Sequence, residues 1–148
     1  MFEILPLEPG DISRLQQIEQ SAHLSPWSEK IMKTSFNKRS HNYGLIRQGE
    51  VLGYYFSEFI AGEMNLHNIC IGKKHQGQGL AKQLMLHLLA KAQELNAEEL
   101  WLEVRESNHS AITLYQQFGF EQVGQRKNYY PIKDSNQRET ALLMKKVL

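Results

Sequence analysis

Lys73-Lys74-His75-Gln76-Gly77-Gln78-Gly79-Leu80-Ala81-Lys82 joins a β-rich run, Met64 to Ile71, to the clearest helical period of the chain. Leu80, Leu84, Met85, Leu88, Leu89, Ala92 and Leu95 recur at three- and four-residue spacing, which gives a helix one apolar face. The first turn of a helix leaves about four backbone N–H groups unpaired and carries roughly half a positive charge, so it seats phosphate oxygens. Gly77 and Gly79 remove the Cβ atoms that would hold an anion away, and Lys73, Lys74 and Lys82 add mobile positive charge nearby. The plain alternative is a tight turn with surface lysines. Two nucleotide motifs fail: the third glycine of GxGxxG is replaced by Lys82, and GxxxxGK[ST] is absent.

Upstream of the turn, Tyr43 to Arg47, Val51 to Phe59 and Met64 to Ile71 read as strands of an antiparallel meander, parted by Gly49 and by Ala61-Gly62. Phe2 to Leu5 reads as a short strand. Asp11 is expected to cap a helix with the apolar face Ile12, Leu15, Ile18 and Ala22, and Ser25-Pro26 to open a second. Downstream, Leu100 to Val104 is a strand, Asn108 to Phe118 a helix closed by Gly119, and Phe120 to Val123 and Ala141 to Val147 are late strands. Asn128 to Gln137 reads as a polar loop, longer than a tight hairpin needs. Strand, long helix, strand in that order implies a right-handed crossover between parallel neighbours. The expectation is an α+β fold, with a mixed, mainly antiparallel sheet of about seven strands and about four helices, forming one domain over residues 1–148.

Composition narrows the function. With 41% hydrophobic and 22% charged residues, the 148-residue chain is in the globular range. A formal charge of +1 argues against a uniformly basic nucleic-acid face. The single cysteine, Cys70, excludes an intrachain disulfide and a CxxC zinc site, and no HExxH or other close ligand spacing occurs among the histidines, so no metal is implied. The start of the chain lacks a signal-peptide pattern and no apolar run suits a membrane span, so a cytoplasmic protein without membrane attachment is expected, as a monomer.

Three side chains carry candidate chemistry. Period-two alternation puts Leu100, Leu102 and Val104 on one strand face and Trp101, Glu103 and Arg105 on the other. Glu103 is either solvent-facing or, if desolvated, raised toward neutrality as a general base. Tyr115 shares a helix face with Ala111 and Phe118; it is either core or a proton donor to a departing thiolate. Cys70 lies in an apolar strand and reads as a small buried hydrophobe, not a nucleophile. His67 and His75 are assigned no role.

Gln76, Gly79 and Ala81 form Gln-x-x-Gly-x-Ala between a strand and a helix, which resembles the pyrophosphate-binding motif [QR]xxGx[GA] of the GCN5-related N-acetyltransferases. Leu102-Glu103-Val104-Arg105, Asn108, Ala111, Leu114-Tyr115 and Phe118-Gly119-Phe120 are similar to the LEVRxSNxxAxxLYxxxGF segment of bacterial ribosomal-protein-alanine N-acetyltransferases (the RimI type). His23 with Pro26-Trp27-Ser28 resembles that family's HxxPWS, and Arg126, Asn128, Tyr129, Tyr130 and Pro131 its RxNYYP. The resemblance implies acetyl-CoA as cosubstrate. Its pyrophosphate would lie on the backbone of Gln76, Gly77, Gln78, Gly79, Leu80 and Ala81, and its pantetheine along Ile69, Cys70 and Ile71. It also implies Asn108 as a cofactor-positioning residue, Glu103 as base and Tyr115 as acid, with the amino-terminal alanine of a small-subunit ribosomal protein as acceptor.

Two departures matter. Gly77 stands where many relatives carry arginine and Ala81 where the last glycine would be, so phosphate contacts are expected to rest on the backbone and on Lys73 or Lys74. Tyr129 and Tyr130 are either a peptide-binding rim or a cover for the core edge. Two other functions fit the same residues: acetylation of a small polycationic amine such as a polyamine or aminoglycoside, served by Glu58, Glu63 and Glu106, and a non-catalytic acyl-CoA-binding module.

Overall fold

The alternation of the strands is resolved into seven strands and four helices in the computed structural model, which describes residues 1–148. In chain order these are β1 (Glu3–Pro6), α1 (Ile12–Ala22), α2 (Glu29–Thr34), β2 (Tyr43–Arg47), β3 (Glu50–Ile60), β4 (Glu63–Ile71), α3 (Leu80–Glu94), β5 (Glu99–Arg105), α4 (His109–Gln117), β6 (Glu121–Pro131) and β7 (Arg138–Val147). All strands join one sheet in the order β1-β2-β3-β4-β5-β7-β6. Only β4 and β5 are parallel, as the strand–helix–strand order requires of a crossover through α3.

Period two sends neighbouring residues to two cores. Tyr55, Leu66, Ile71, Leu100, Leu102 and Val104 meet Leu84, Met85 and Leu88 of α3 on one face. Tyr54, Phe56 and Cys70 meet Ile12, Leu15 and Ile18 of α1 on the other. Leu15, Leu84, Leu88 and Leu100 are fully buried, each worth about 2 kcal/mol in area removed from water.

Local chemistry explains where element boundaries differ from the sequence reading. Asp11 itself has helical angles, so its carboxylate turns back to accept from Glu8 N (2.8 Å) and closes a short 3-10 turn before α1. The second helix starts at Glu29, not at Ser25-Pro26. Trp27 N donates to Glu19 Oε2 (2.9 Å), Ser28 stays extended (ψ 162°), and the Ser28 hydroxyl accepts from Ile31 N as the N-cap. The polar stretch from Asn128 is not all loop. β6 runs on to Pro131, with residues 127 to 129 bulged opposite Thr140 and Asn128 at φ 53°. Its edge position leaves β6 largely exposed, which hides a strand from hydropathy patterning. No helix is long and apolar enough to cross a membrane.

Candidate active site

The parallel pair sets the site. β4 and β5 are matched from Glu63↔Glu99 to Leu66↔Leu102 and no further, while β4 continues on β3 to Ile71 and β5 on β7 to Arg105. A wedge therefore opens between Asn68–Ile71 and Glu103–Arg105. Inside it, the β4 main-chain groups that faced β5 are free for a ligand, as at any sheet edge.

A cavity of about 780 Å³ opens on the wedge. Its walls include Ile69, Cys70 and Ile71 of β4, the turn residues Gln76, Gly77, Gly79, Leu80 and Ala81, and Asn108 and Tyr115 from the start and middle of α4. Gly77 (φ 79°) and Gly79 (φ 78°) are left-handed, and a Cβ on either would meet nothing within 4 Å. The glycines are thus required by backbone angle, and they keep the space before α3 open. Gln76 Nε2 donates to Ile71 O (3.0 Å) and ties the turn to the end of β4. The Asn108 carboxamide accepts from Ala111 N (3.3 Å) as the cap of α4.

Some expected residues stand elsewhere. Gln78 does not line the cavity, and neither do Lys73 and Lys74, which form an exposed 3-10 turn; Lys82 and His75 line it instead. Lys82 is the third residue of α3, within the first turn whose N–H groups are free.

Tyr115 is 6% exposed and stands in the wall of the larger cavity. Burial, and then the neighbouring Tyr130, pushes its pKa above the ordinary phenol range, so it stays protonated at neutral pH. Cys70 is 2% exposed; burial, then the nearby Glu19 carboxyl, pushes its thiol up to about 12, which suits a packing residue and not a nucleophile.

Glu103 faces a second cavity, of about 530 Å³, with Tyr129, Tyr130, Arg126 and Glu63 in its walls. Of the two readings of Glu103, its surroundings fit the solvent-facing one: its side chain is 29% exposed and Oε1 lies 3.4 Å from Arg126 Nη2. The apolar members of β5 take the α3 face, so Glu103 falls on the opposite, open face, where water and an arginine reach it. Tyr129 and Tyr130 pack edge-to-face at 5.1 Å, with Arg126 over the first ring and Arg105 over the second. Glu139 holds Arg105 at 2.9 Å. Burial, then Glu103 and Tyr129, pushes the Tyr130 phenol up to about 12. Tyr130 lines the second cavity and is near enough to Tyr115, in the wall of the first, to raise the phenol of that residue.

The acids expected to serve a polycationic substrate are dispersed. Glu63 lines the second cavity, Glu58 is held by His67 (3.0 Å), and Glu106 lines neither cavity. Sequence reading missed Arg126 as partner of Glu103, His23 in the wall of the larger cavity, and buried Glu19. For Glu19 a signal existed: it falls four residues after Leu15 and seven after Ile12, on the apolar stripe of α1.

Known proteins are similar to this chain over nearly its whole length. A ribosomal protein bS18-alanine N-acetyltransferase from Haemophilus influenzae is 43% identical over 144 residues, 97% of each chain. The enzyme of that name from Escherichia coli K12 is 38% identical over 97% of this chain and 96% of its own. The crystal structure of the ribosomal-protein-S18-alanine N-acetyltransferase from Escherichia coli superposes with a TM-score of 0.92 at 37% identity, covering 98% of this chain and 92% of that one. Residues 12–120, from the start of α1 to the end of the α4 turn, match the acetyltransferase (GNAT) family, and the chain, with its parted β4–β5 pair and glycine turn within that span, belongs to this family.

Proposed function

We propose that the protein transfers the acetyl group of acetyl-CoA directly to the α-amine of an amino-terminal alanine, and that its acceptor is a small-subunit ribosomal protein. The observation that carries this reading is the parting of β4 and β5 with a cavity on each side: the glycine turn and Tyr115 serve one, Glu103 and the tyrosine rim the other. The names of the relatives supply the acceptor class, and their near-full coverage of the chain supports carrying it over.

In this mechanism the coenzyme pyrophosphate lies on the N–H groups at the start of α3, with Lys82 beside it, and the pantetheine runs along Ile69–Ile71. An α-amine with pKa of about 8 is partly neutral at cellular pH, so the base has modest work to do. Glu103 takes the ammonium proton as Arg126 gives way, and the amine attacks the thioester carbonyl. A β4 main-chain N–H freed by the wedge holds the oxyanion. The C–S bond then breaks, the thiolate leaves with the proton of Tyr115, the second proton of the attacking nitrogen passes through water to the phenolate, and Glu103 releases its proton to solvent.

Mass spectrometry of the protein with acetyl-CoA and two peptides tests this. One peptide has a free amino-terminal alanine; the other is blocked at its terminus and contains lysine. Gain of one acetyl group on the first alone is expected. Acetylation of the lysine peptide, or of a polyamine in preference to both, refutes the acceptor assignment.

A further inference from the structure

Glu19 is fully buried, and no cation lies against it. Its Oε1 accepts from Tyr54 Oη (2.5 Å) and Asn68 Nδ2 (2.9 Å), and its Oε2 from Trp27 N (2.9 Å). A carboxyl group satisfied by three donors is an expensive way to fasten a helix to a sheet, since an apolar residue of similar volume does so without desolvation. Glu19, His23 and Cys70 bring ligand-type atoms within 4.8 Å of one another. Glu19 is already saturated with donors, however, and the Cys70 thiol is held protonated, so the group is a hydrogen-bond relay.

The direction of the relay follows from the inventory of donors. Asn68 gives its Nδ2 to Glu19; the flipped amide would set its oxygen against the carboxyl oxygen. Asn68 Oδ1 therefore faces His23 Nε2 at 3.1 Å, and only Nε2–H can make that bond. A neutral His23 so held carries its lone pair on Nδ1. His23 lines the larger cavity beside Ile69 and Cys70. The bulge at His67 puts Asn68 one ladder step beyond Leu66, and Glu103 is one residue beyond Leu102, so the relay and Glu103 flank the mouth of the wedge.

We propose that Glu19 is a positioning residue for acetyl transfer: through Asn68 it sets His23 as the Nε2–H tautomer, with Nδ1 a hydrogen-bond acceptor at the wedge, and through Trp27 it fixes the α1–α2 segment on the sheet. This rests on the acetyl-transfer reading for its consequence in catalysis, but the tautomer is a property of the resting protein. The experiment is long-range ¹H–¹⁵N correlation of the histidine rings, with the His23 signal assigned by His23→Gln, on wild type, Glu19→Gln, Asn68→Leu and Tyr54→Phe.

Wild type and Tyr54→Phe show the Nε2–H tautomer alone, because Tyr54 is not in the path to His23. Asn68→Leu and Glu19→Gln show a mixture, and their kcat on the alanine peptide falls at least about tenfold while the acetyl-CoA KM moves less than about threefold. If Glu19→Gln fails to fold, Asn68→Leu decides alone. An Nδ1–H tautomer in wild type, or a pure Nε2–H tautomer with full kcat in Asn68→Leu, overturns the proposal. A wild type that acetylates no peptide sinks the functional reading, and the tautomer spectra still decide the relay.

Discussion

Gly79→Ala separates what the glycine turn does for the fold from what it does for the ligand. Gly79 sits at φ 78° and ψ 14°, immediately before α3. An L-residue in the left-handed region costs about 1–2 kcal/mol, and the narrower unfolded ensemble of alanine adds roughly 0.4–1 kcal/mol to that loss of freedom already spent, in the stabilising direction. The net loss is about 1 kcal/mol, or near 3 °C in melting temperature for a chain of this size. No protein atom lies within 4 Å of the added methyl, so packing contributes nothing further. Ligand changes the comparison. At one hundred times Kd, acetyl-CoA adds about 2.7 kcal/mol to wild type; if the methyl weakens phosphate binding tenfold, the variant gains only about 1.4 kcal/mol. The deficit should therefore grow from about 1 kcal/mol without ligand to about 2.3 kcal/mol with it. Thermal melts with and without acetyl-CoA measure both. A deficit that does not widen with ligand refutes the phosphate role, and no deficit in the free protein refutes the strain argument.

Tyr115→Phe removes a hydroxyl at the wall of the larger cavity, so stability should change by less than about 0.5 kcal/mol while kcat drops about 10²–10⁴-fold across the neutral range. Glu103→Gln should lower kcat most at low pH, where the acceptor is an ammonium; a pH–rate series on the alanine peptide checks it. Tyr130→Ala should raise the peptide KM about tenfold with little change for acetyl-CoA, and Glu139→Gln should reproduce part of this by loosening Arg105 beneath the ring; equal effects on both substrates count against the rim. Cys70 makes the protein lose stability in alkali: its thiol stays protonated in the folded state after the unfolded one, at 9.0, has ionised. The folded state then binds more protons, and stability falls by about 1.4 kcal/mol per pH unit above pH 9 until the folded value is reached. In Cys70→Ala that decline should begin about one unit later, with the tyrosines; denaturant melts at pH 8 to 11 measure it.

What the sequence made legible follows the range of the interactions involved. The α3 stripe, the glycine turn and the alternation of β5 are set by neighbours three or four residues away, and they are found where periodicity puts them. The turn is found in the wall of the larger cavity, where Gln76, Gly77, Gly79, Leu80 and Ala81 stand together. β6 escaped because an edge strand has no buried face to impose alternation, and its bulge breaks what pattern remains. Glu103 stands in the strand and on the face that alternation gives it, but alternation alone leaves open whether that face is solvent-facing. Burial of a strand residue depends on which face the helices cover, and the α1 helix stops short of β5, leaving that side to Arg126.

The relay around Glu19 shows the other limit. Its bonds join residues 35 to 49 positions apart, from Tyr54 and Asn68 back to Glu19, so no local window contains them. The one local sign was an acid on an apolar stripe, and such a residue predicts only that something must satisfy it. In α1 the satisfying groups come from β3, from β4 and from the chain entering α2. A carboxyl group there therefore does what a hydrophobe cannot: it gives polarity to a junction, and polarity is what selects one tautomer of His23 over the other.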